Sequence, residues 1–181
     1  MLDQSLNRSQ RDIQVAFLAL LDSHDFDALT VAAIAKAAKV SRQTFYNYYA
    51  SPFDLATTMI TAYLAPIQAV IRARAKALKQ PGSFAAIAAT GAPAQAKLLV
   101  ENRRDYQRLR QLELGAESFD RRLTALLSAE LAPLFGPAEV LTTRYLTHLL
   151  IAELDYILAT GKVPTPAMIT KSIGQINQLF S

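Results

Sequence analysis

Apolar residues in this chain recur at helical spacing almost from end to end, and an apolar–polar alternation of strand period never persists. That pattern restricts the fold to helices packed on helices. Ile13, Ala16, Phe17, Leu20 and Leu21 set the first helical stripe. Ser9 precedes it with Asp12 three residues on, the arrangement of a capping box, and a stop is expected around Ser23-His24-Asp25. Thr30 is placed to cap a short Ala-rich helix reaching Ala38. A tight turn at Lys39-Val40 follows, and Ser41 caps a helix to about Tyr48. Ser51, Pro52 and Asp54 then supply a cap, a first-turn proline and a carboxylate, opening a fourth helix that runs towards Leu78 with Pro66 as a break or kink. Gly82, Gly91-Ala92-Pro93, Gly115, Gly136-Pro137 and Gly161 with Thr165-Pro166 separate further segments near 83–90, 93–114, 118–135, 137–160 and 166–180. The prediction is an all-α fold of about nine helices.

Composition narrows the functions available. With 181 residues, 51% of them apolar, the chain is long enough for a packed core. It has no cysteine, which excludes disulfides, thiolate metal sites and cysteine catalysis. His24 and His148 are far apart, so a histidine metal cluster is not expected. The sequence contains no Gly-rich phosphate loop, no Gly-x-Ser-x-Gly and no His-Glu-x-x-His. An enzyme is therefore not expected, and no cofactor or metal is implied. The first residues lack the basic flank and apolar run of a signal peptide. No stretch reads as the ~18 consecutive apolar residues of a membrane span, so a cytoplasmic protein is expected. The net charge is +4; the first 79 residues hold nine Lys/Arg against six Asp/Glu, and the remainder ten against nine. An excess of this size permits nucleic-acid binding, and it sits towards the N-terminus.

Function concentrates between Thr30 and Tyr49. Two short helices joined by so tight a turn suit a helix-turn-helix spanning about 30–49, whose second helix enters the major groove. Ile34, Ala35, Ala38, Val40 and Phe45 are expected to form its small core, supported by Phe17, Leu20 and Leu21 from the first helix. The second helix reads Ser41-Arg42-Gln43-Thr44-Phe45-Tyr46-Asn47-Tyr48. Arg can read guanine and Gln or Asn adenine, each through two hydrogen bonds to a base edge. Hydroxyls of Thr and Tyr reach phosphate oxygens, which the positive end of the helix also favours. Arg42, Gln43 and Asn47 are the expected base readers. Thr44, Tyr46 and Tyr48 are the expected phosphate contacts, with Thr30 capping near the backbone.

The stretch TVAAIAKAAKVSRQTFYNYYASPFDL resembles the TetR/AcrR signature. In that signature a helix ending Ile-Ala-x-x-Ala is followed by Gly-Val-Ser, then Thr-(Phe/Leu)-Tyr-x-(His/Tyr)-Phe and Lys-x-x-Leu. Ile34, Ala35, Ala38, Val40, Ser41, Thr44, Phe45, Tyr46, Tyr48 and Leu55 fit it, and the likeness covers about residues 10 to 60. Three positions depart from it. Lys39 stands where the family usually has Gly, Tyr49 where it has Phe, and Pro52 where it has a Lys that commonly touches phosphate.

The resemblance implies a DNA-binding domain at 1–50 and a ligand-binding and dimerisation domain at 51–181. It further implies a homodimer on a palindromic double-stranded operator, and a small-molecule effector acting on what is usually a repressor. Pro52 and Lys39 motivate an alternative, a sensor of the same fold with weakened or lost operator binding. Asn102, Tyr106 and Tyr145 are candidate ligand contacts, being polar groups scattered on apolar helices. The segment 137–160 is apolar nearly all round and must be covered on several sides. With the stripe Ile169, Ile173, Ile176 and Phe180 it is expected to form the dimer interface, Leu158 included. The basic run Lys97, Arg103, Arg104, Arg108 and Arg110 reads as a solvated face or as the edge of a pocket for an anion.

Overall fold

A computed structural model of the chain describes residues 6–78, 93–136 and 139–179. Nine α-helices and no strand occur among the described residues: α1 (Arg8–Leu20), α2 (Val31–Ala37), α3 (Arg42–Tyr46), α4 (Pro52–Leu78), α5 (Pro93–Glu101), α6 (Arg103–Arg110), α7 (Phe119–Phe135), α8 (Val140–Thr160) and α9 (Pro166–Leu179). Single 3-10 turns lie at Phe26–Ala28 and Gly115–Glu117. The helix expected at 83–90 falls outside the described residues.

Side-chain caps set most of the boundaries. Thr30 Oγ1 accepts from the Ala33 amide at 3.2 Å, Ser41 Oγ from Thr44 at 2.9 Å and Ser51 Oγ from Asp54 at 3.1 Å. Each satisfies an orphan donor of its helix, an effect of about 1 kcal/mol. The Asp54 carboxylate in turn accepts from the Ala50 amide at 2.9 Å. The first helix is capped two residues earlier than Ser9. Asn7 Oδ1 accepts from the Gln10 amide at 2.9 Å, and Gln10 Oε1 from the Asn7 amide at 3.3 Å. The box is therefore Asn7-x-x-Gln10, and Asp12 pairs along the helix with Arg8 at 3.8 Å.

The single helix expected over 93–114 is two helices. They part at Asn102, whose side-chain amide donates back to the Leu98 carbonyl at 2.8 Å. Short polar side chains compete with the helical ladder in this way. Likewise α3 ends at Tyr46 rather than Tyr48, because the Tyr48 amide tightens onto the Phe45 carbonyl at 3.0 Å. Helix α4, in contrast, is continuous through Pro66. Its stretch Pro52–Lys76 is long and apolar enough to cross a membrane, where no such length was expected. Its apolar side is spent inside the protein: Leu55, Ala56, Met59, Ile60, Ile67 and Ile71 are buried.

The described residues fall into two compact units. One runs to Leu64 and takes in Arg104–Arg122; the other comprises Ala65–Arg103 and the chain from Leu123 onward. In the first unit Ile13, Phe17, Ile34, Phe45, Leu55, Tyr106 and Phe119 are fully buried. Leu20, Leu21 and Val40, expected in this core, are only half-buried; Ile13 and Leu18 supply the inner face of α1 instead. The Tyr106 hydroxyl donates to the Tyr63 carbonyl at 2.9 Å, and the Tyr63 hydroxyl to Asp105 at 2.9 Å. Burial raises both phenols above their ordinary range, and for Tyr63 the Asp105 carboxylate adds to it. In the second unit the core is Ile67, Ile71, Leu99, Leu123, Leu127, Leu154 and Ile157. Gly161 ends α8 in the left-handed region at φ 68°, its amide donating to Ile157 at 2.8 Å.

Candidate nucleic-acid interface

The turn between α2 and α3 places one helix face in solvent. Lys39 holds it at φ 57°, the left-handed conformation its place in the sequence requires. The Val40 amide donates to the Ala35 carbonyl at 3.0 Å and closes the turn. On α3, Phe45 is fully buried, with Tyr46 edge-on to it at 5.9 Å and Tyr49 tilted at 5.8 Å. Tyr49 is itself buried, and its hydroxyl accepts from the Gln14 side chain at 3.1 Å, tying α3 to α1.

With Phe45 turned inward, Arg42, Gln43, Tyr46 and Asn47 are all exposed. Their spacing of one and four residues puts them on one side of the helix. Gln43 Nε2 donates to Asn47 Oδ1 at 3.3 Å. That bond engages the Gln43 amide and the Asn47 carbonyl, so the capacity left to the pair is an acceptor, the Gln43 carbonyl, and a donor, the Asn47 amide. Such a pair matches the donor and acceptor edge of adenine.

The expected phosphate contacts sit less uniformly. Tyr46 is exposed, whereas Thr44 is half-buried and its hydroxyl shares a hydrogen bond with Ser41 at 2.8 Å. Tyr48 is half-buried, and its hydroxyl accepts from Asn7 Nδ2 at 3.0 Å, leaving the O–H free to donate. Thr30 is exposed at the start of α2. Asn7 was missed in the sequence. Its signal was the Asn7-x-x-Gln10 box, which places the cap of α1 beside the recognition helix.

The sequence profile described as "Bacterial regulatory proteins, tetR family" matches residues 15–55, the stretch that builds this face. Residues 15–55 thus carry a TetR-family DNA-binding module. A relative from Bacillus subtilis (strain 168), the "Uncharacterized HTH-type transcriptional regulator YxbF", is 33% identical over 67 residues. That stretch is 36% of this chain and 18% of that protein, so the chain spans under a fifth of its relative's length. Two solved structures share the fold. The "Dihydroxyacetone kinase operon activator DhaS" aligns with a TM-score of 0.53 at 17% identity, covering 94% of this chain and 95% of its own. A proposed transcriptional regulator from Pseudomonas aeruginosa PAO1 aligns with a TM-score of 0.54 at 20% identity, covering 97% and 92%.

Outside its TetR-family module the chain has a cavity of about 510 Å³ in the second unit. Its wall is mostly aliphatic, with Ile67, Ile71, Leu127 and Ile157 among the lining residues, and it carries Arg74, Lys97 and Glu153 as polar groups. The three expected ligand contacts do not line it. Asn102 is buried on its own helix turn, Tyr106 is fully buried in the first unit and Tyr145 is 64% exposed. The basic run of α5 and α6 is largely consumed by ion pairs. Arg108 binds Asp22 and Asp105, Arg110 binds Asp120 at 2.7 Å, and Lys97 lies 3.6 Å from Glu101.

The expected interface residues divide. Leu158 is buried against its own chain at 3% exposure, so it is not available to a partner. Ile169 and Ile173 are half-buried, and the side chains of Ile176 and Phe180 fall outside the described residues. The exposed apolar face of α8 is instead Leu141, Tyr145 and Leu149, spaced by four.

Proposed function

We propose that this protein is a cytoplasmic DNA-binding transcriptional regulator. In this reading it binds a palindromic operator as a homodimer, represses by doing so, and answers to a small molecule held in the cavity of the second unit. The observation that carries the reading is the outward face of α3, where Arg42, Gln43, Tyr46 and Asn47 stand together over a buried Phe45. A guanidinium and two amides on one short helix are base-reading groups, and the hydroxyls beside them suit phosphates. Lys39 and Pro52 were the grounds for a sensor without operator binding. The turn is closed despite Lys39, and Pro52 opens a capped helix, which favours the DNA-binding reading.

A single recognition helix reads few base pairs, so a dyad-related pair is needed for two half-sites. Leu141, Tyr145 and Leu149 on α8, joined by Ile169 and Ile173 of α9, are the surface we assign to the partner copy. An effector in the cavity acts on DNA through α4, which contributes Ile67, Ile71 and Arg74 to the cavity and Leu55 to the core beneath the recognition helix. A gel-shift against the DNA upstream of the protein's own gene tests the reading. A shifted band that survives excess random DNA is expected; its absence, with the protein folded, contradicts operator binding.

A further inference from the structure

The capping box that opens α1 fixes the polarity of a hydroxyl at the end of the recognition helix. Asn7 Oδ1 accepts from the Gln10 main-chain amide at 2.9 Å. A main-chain N–H can only donate, so the oxygen of the Asn7 side chain must face it and the nitrogen must face away. That nitrogen lies 3.0 Å from the Tyr48 hydroxyl, 41 residues along the chain. An amide nitrogen donates and does not accept, so the phenol oxygen is the acceptor. The Tyr48 proton is thereby turned away from Asn7, and no other hydrogen bond engages it among the described residues. The bond is also exposed, unlike the similar one from Gln14 to the Tyr49 hydroxyl at 3.1 Å, which is buried.

We propose that Asn7 is a positioning residue for DNA binding: it occupies a lone pair of the Tyr48 hydroxyl and so presents the proton of that hydroxyl to a phosphate oxygen. The inference rests on the reading of α3 as the DNA-contacting helix and of Tyr48 as a phosphate contact. A hydroxyl rotates to suit its surroundings, and one that already accepts from the protein is left to donate. Phosphate oxygens accept and do not donate, so the polarity set by Asn7 is the one the backbone of a duplex requires. A hydrogen bond to such a charged acceptor is stronger than one to a neutral group. Phosphates carry no sequence information, so Asn7 should affect all duplexes alike.

The test separates this role from the cap. Asn7→Ser keeps a good N-cap and a Ser-x-x-Gln box, but its side chain is one bond too short to reach Tyr48. Asn7→Asp keeps the cap and the shape, but replaces the donor by an acceptor that draws the Tyr48 proton back to the protein. The full chain is titrated by fluorescence anisotropy, at one salt concentration, into the duplex upstream of its own gene and a random duplex of equal length. Tyr48→Phe should weaken both duplexes by about tenfold and Asn7→Ser by about threefold, with the melting temperature of Asn7→Ser unchanged. In the Tyr48→Phe background Asn7→Ser should have no further effect. Asn7→Asp should cost about tenfold in the wild type and no more than about threefold in that background, where its charge alone acts. Equal binding by the wild type and Asn7→Ser overturns the proposal. So does a loss from Asn7→Ser that keeps its full size in the Tyr48→Phe background, or one confined to the upstream duplex. Failure of the folded wild type to bind either duplex is a different result: it overturns the DNA-binding reading itself, and the role of Asn7 with it.

Discussion

Arg42→Ala removes a guanidinium from the exposed face of α3 without touching the core beneath it. If Arg42 reads a base, the substitution should cost ~1–3 kcal/mol of operator affinity and relax the base preference at one position. Asn47→Ala should do the same at a different position, with a further effect on Gln43, its hydrogen-bond partner. Competition binding against a set of single-base operator variants measures both; unchanged affinity and preference in both variants contradict the assignment. If Tyr46 contacts a phosphate, Tyr46→Phe should weaken binding to all sequences alike. Lys39 offers a stability prediction of its own. Its left-handed φ of 57° costs a residue with a Cβ about 1 kcal/mol, so Lys39→Gly should raise the unfolding free energy by about that amount in denaturant titrations. A fall in stability would mean that the lysine side chain contributes more than its backbone costs.

At the scale of elements, α6 is fastened to the end of α1 by Arg108, which binds Asp22 through Nε at 2.7 Å and through Nη2. The hydrogen bond from Arg108 holds the Asp22 carboxyl below the usual carboxylate range. A depressed pKa stabilises the fold above the unfolded value of about 3.9 and loses that contribution as pH falls through the lower folded value. The stability gap between the wild type and Asp22→Asn should therefore be constant above about pH 5 and close below about pH 4. A gap that persists in acid would show that the pair contributes nothing through charge. Helix α8 gives a second test. Tyr145→Glu or Leu149→Glu should leave the fold intact and split the dimer by sedimentation, whereas Leu158→Glu should unfold the chain, since Leu158 is buried within it. A dimer that persists in both exposed-face variants contradicts the interface.

These elements also show what could be read beforehand. Thr30, Ser41 and Ser51 announced their helices because capping is local, settled within three residues. The exposed side of α3 was legible for the same reason, one inward Phe45 fixing the orientation of its neighbours. The division of 93–114 was hidden, since Asn102 breaks the helix by a side-chain choice that composition does not reveal. The ligand residues were illegible because a cavity depends on which faces meet. Tyr106 was spent on the Tyr63 carbonyl and Tyr145 was left in solvent, while Arg74 and Glu153, 79 positions apart, formed an ion pair. Leu158 failed as an interface residue for a related reason: a helix apolar on most sides does not show in sequence which side its own chain covers.

For the whole molecule the central claim is that two copies present two α3 faces to one stretch of duplex. Footprinting on the DNA upstream of its own gene tests it most directly, with purified protein at a concentration where sedimentation shows dimer. Two protected half-sites of inverted sequence are expected, their centres one DNA turn of about 34–36 Å apart or a multiple of it, both lost together in Arg42→Ala. Protection of a single site, or protection that follows random DNA equally well, would contradict it.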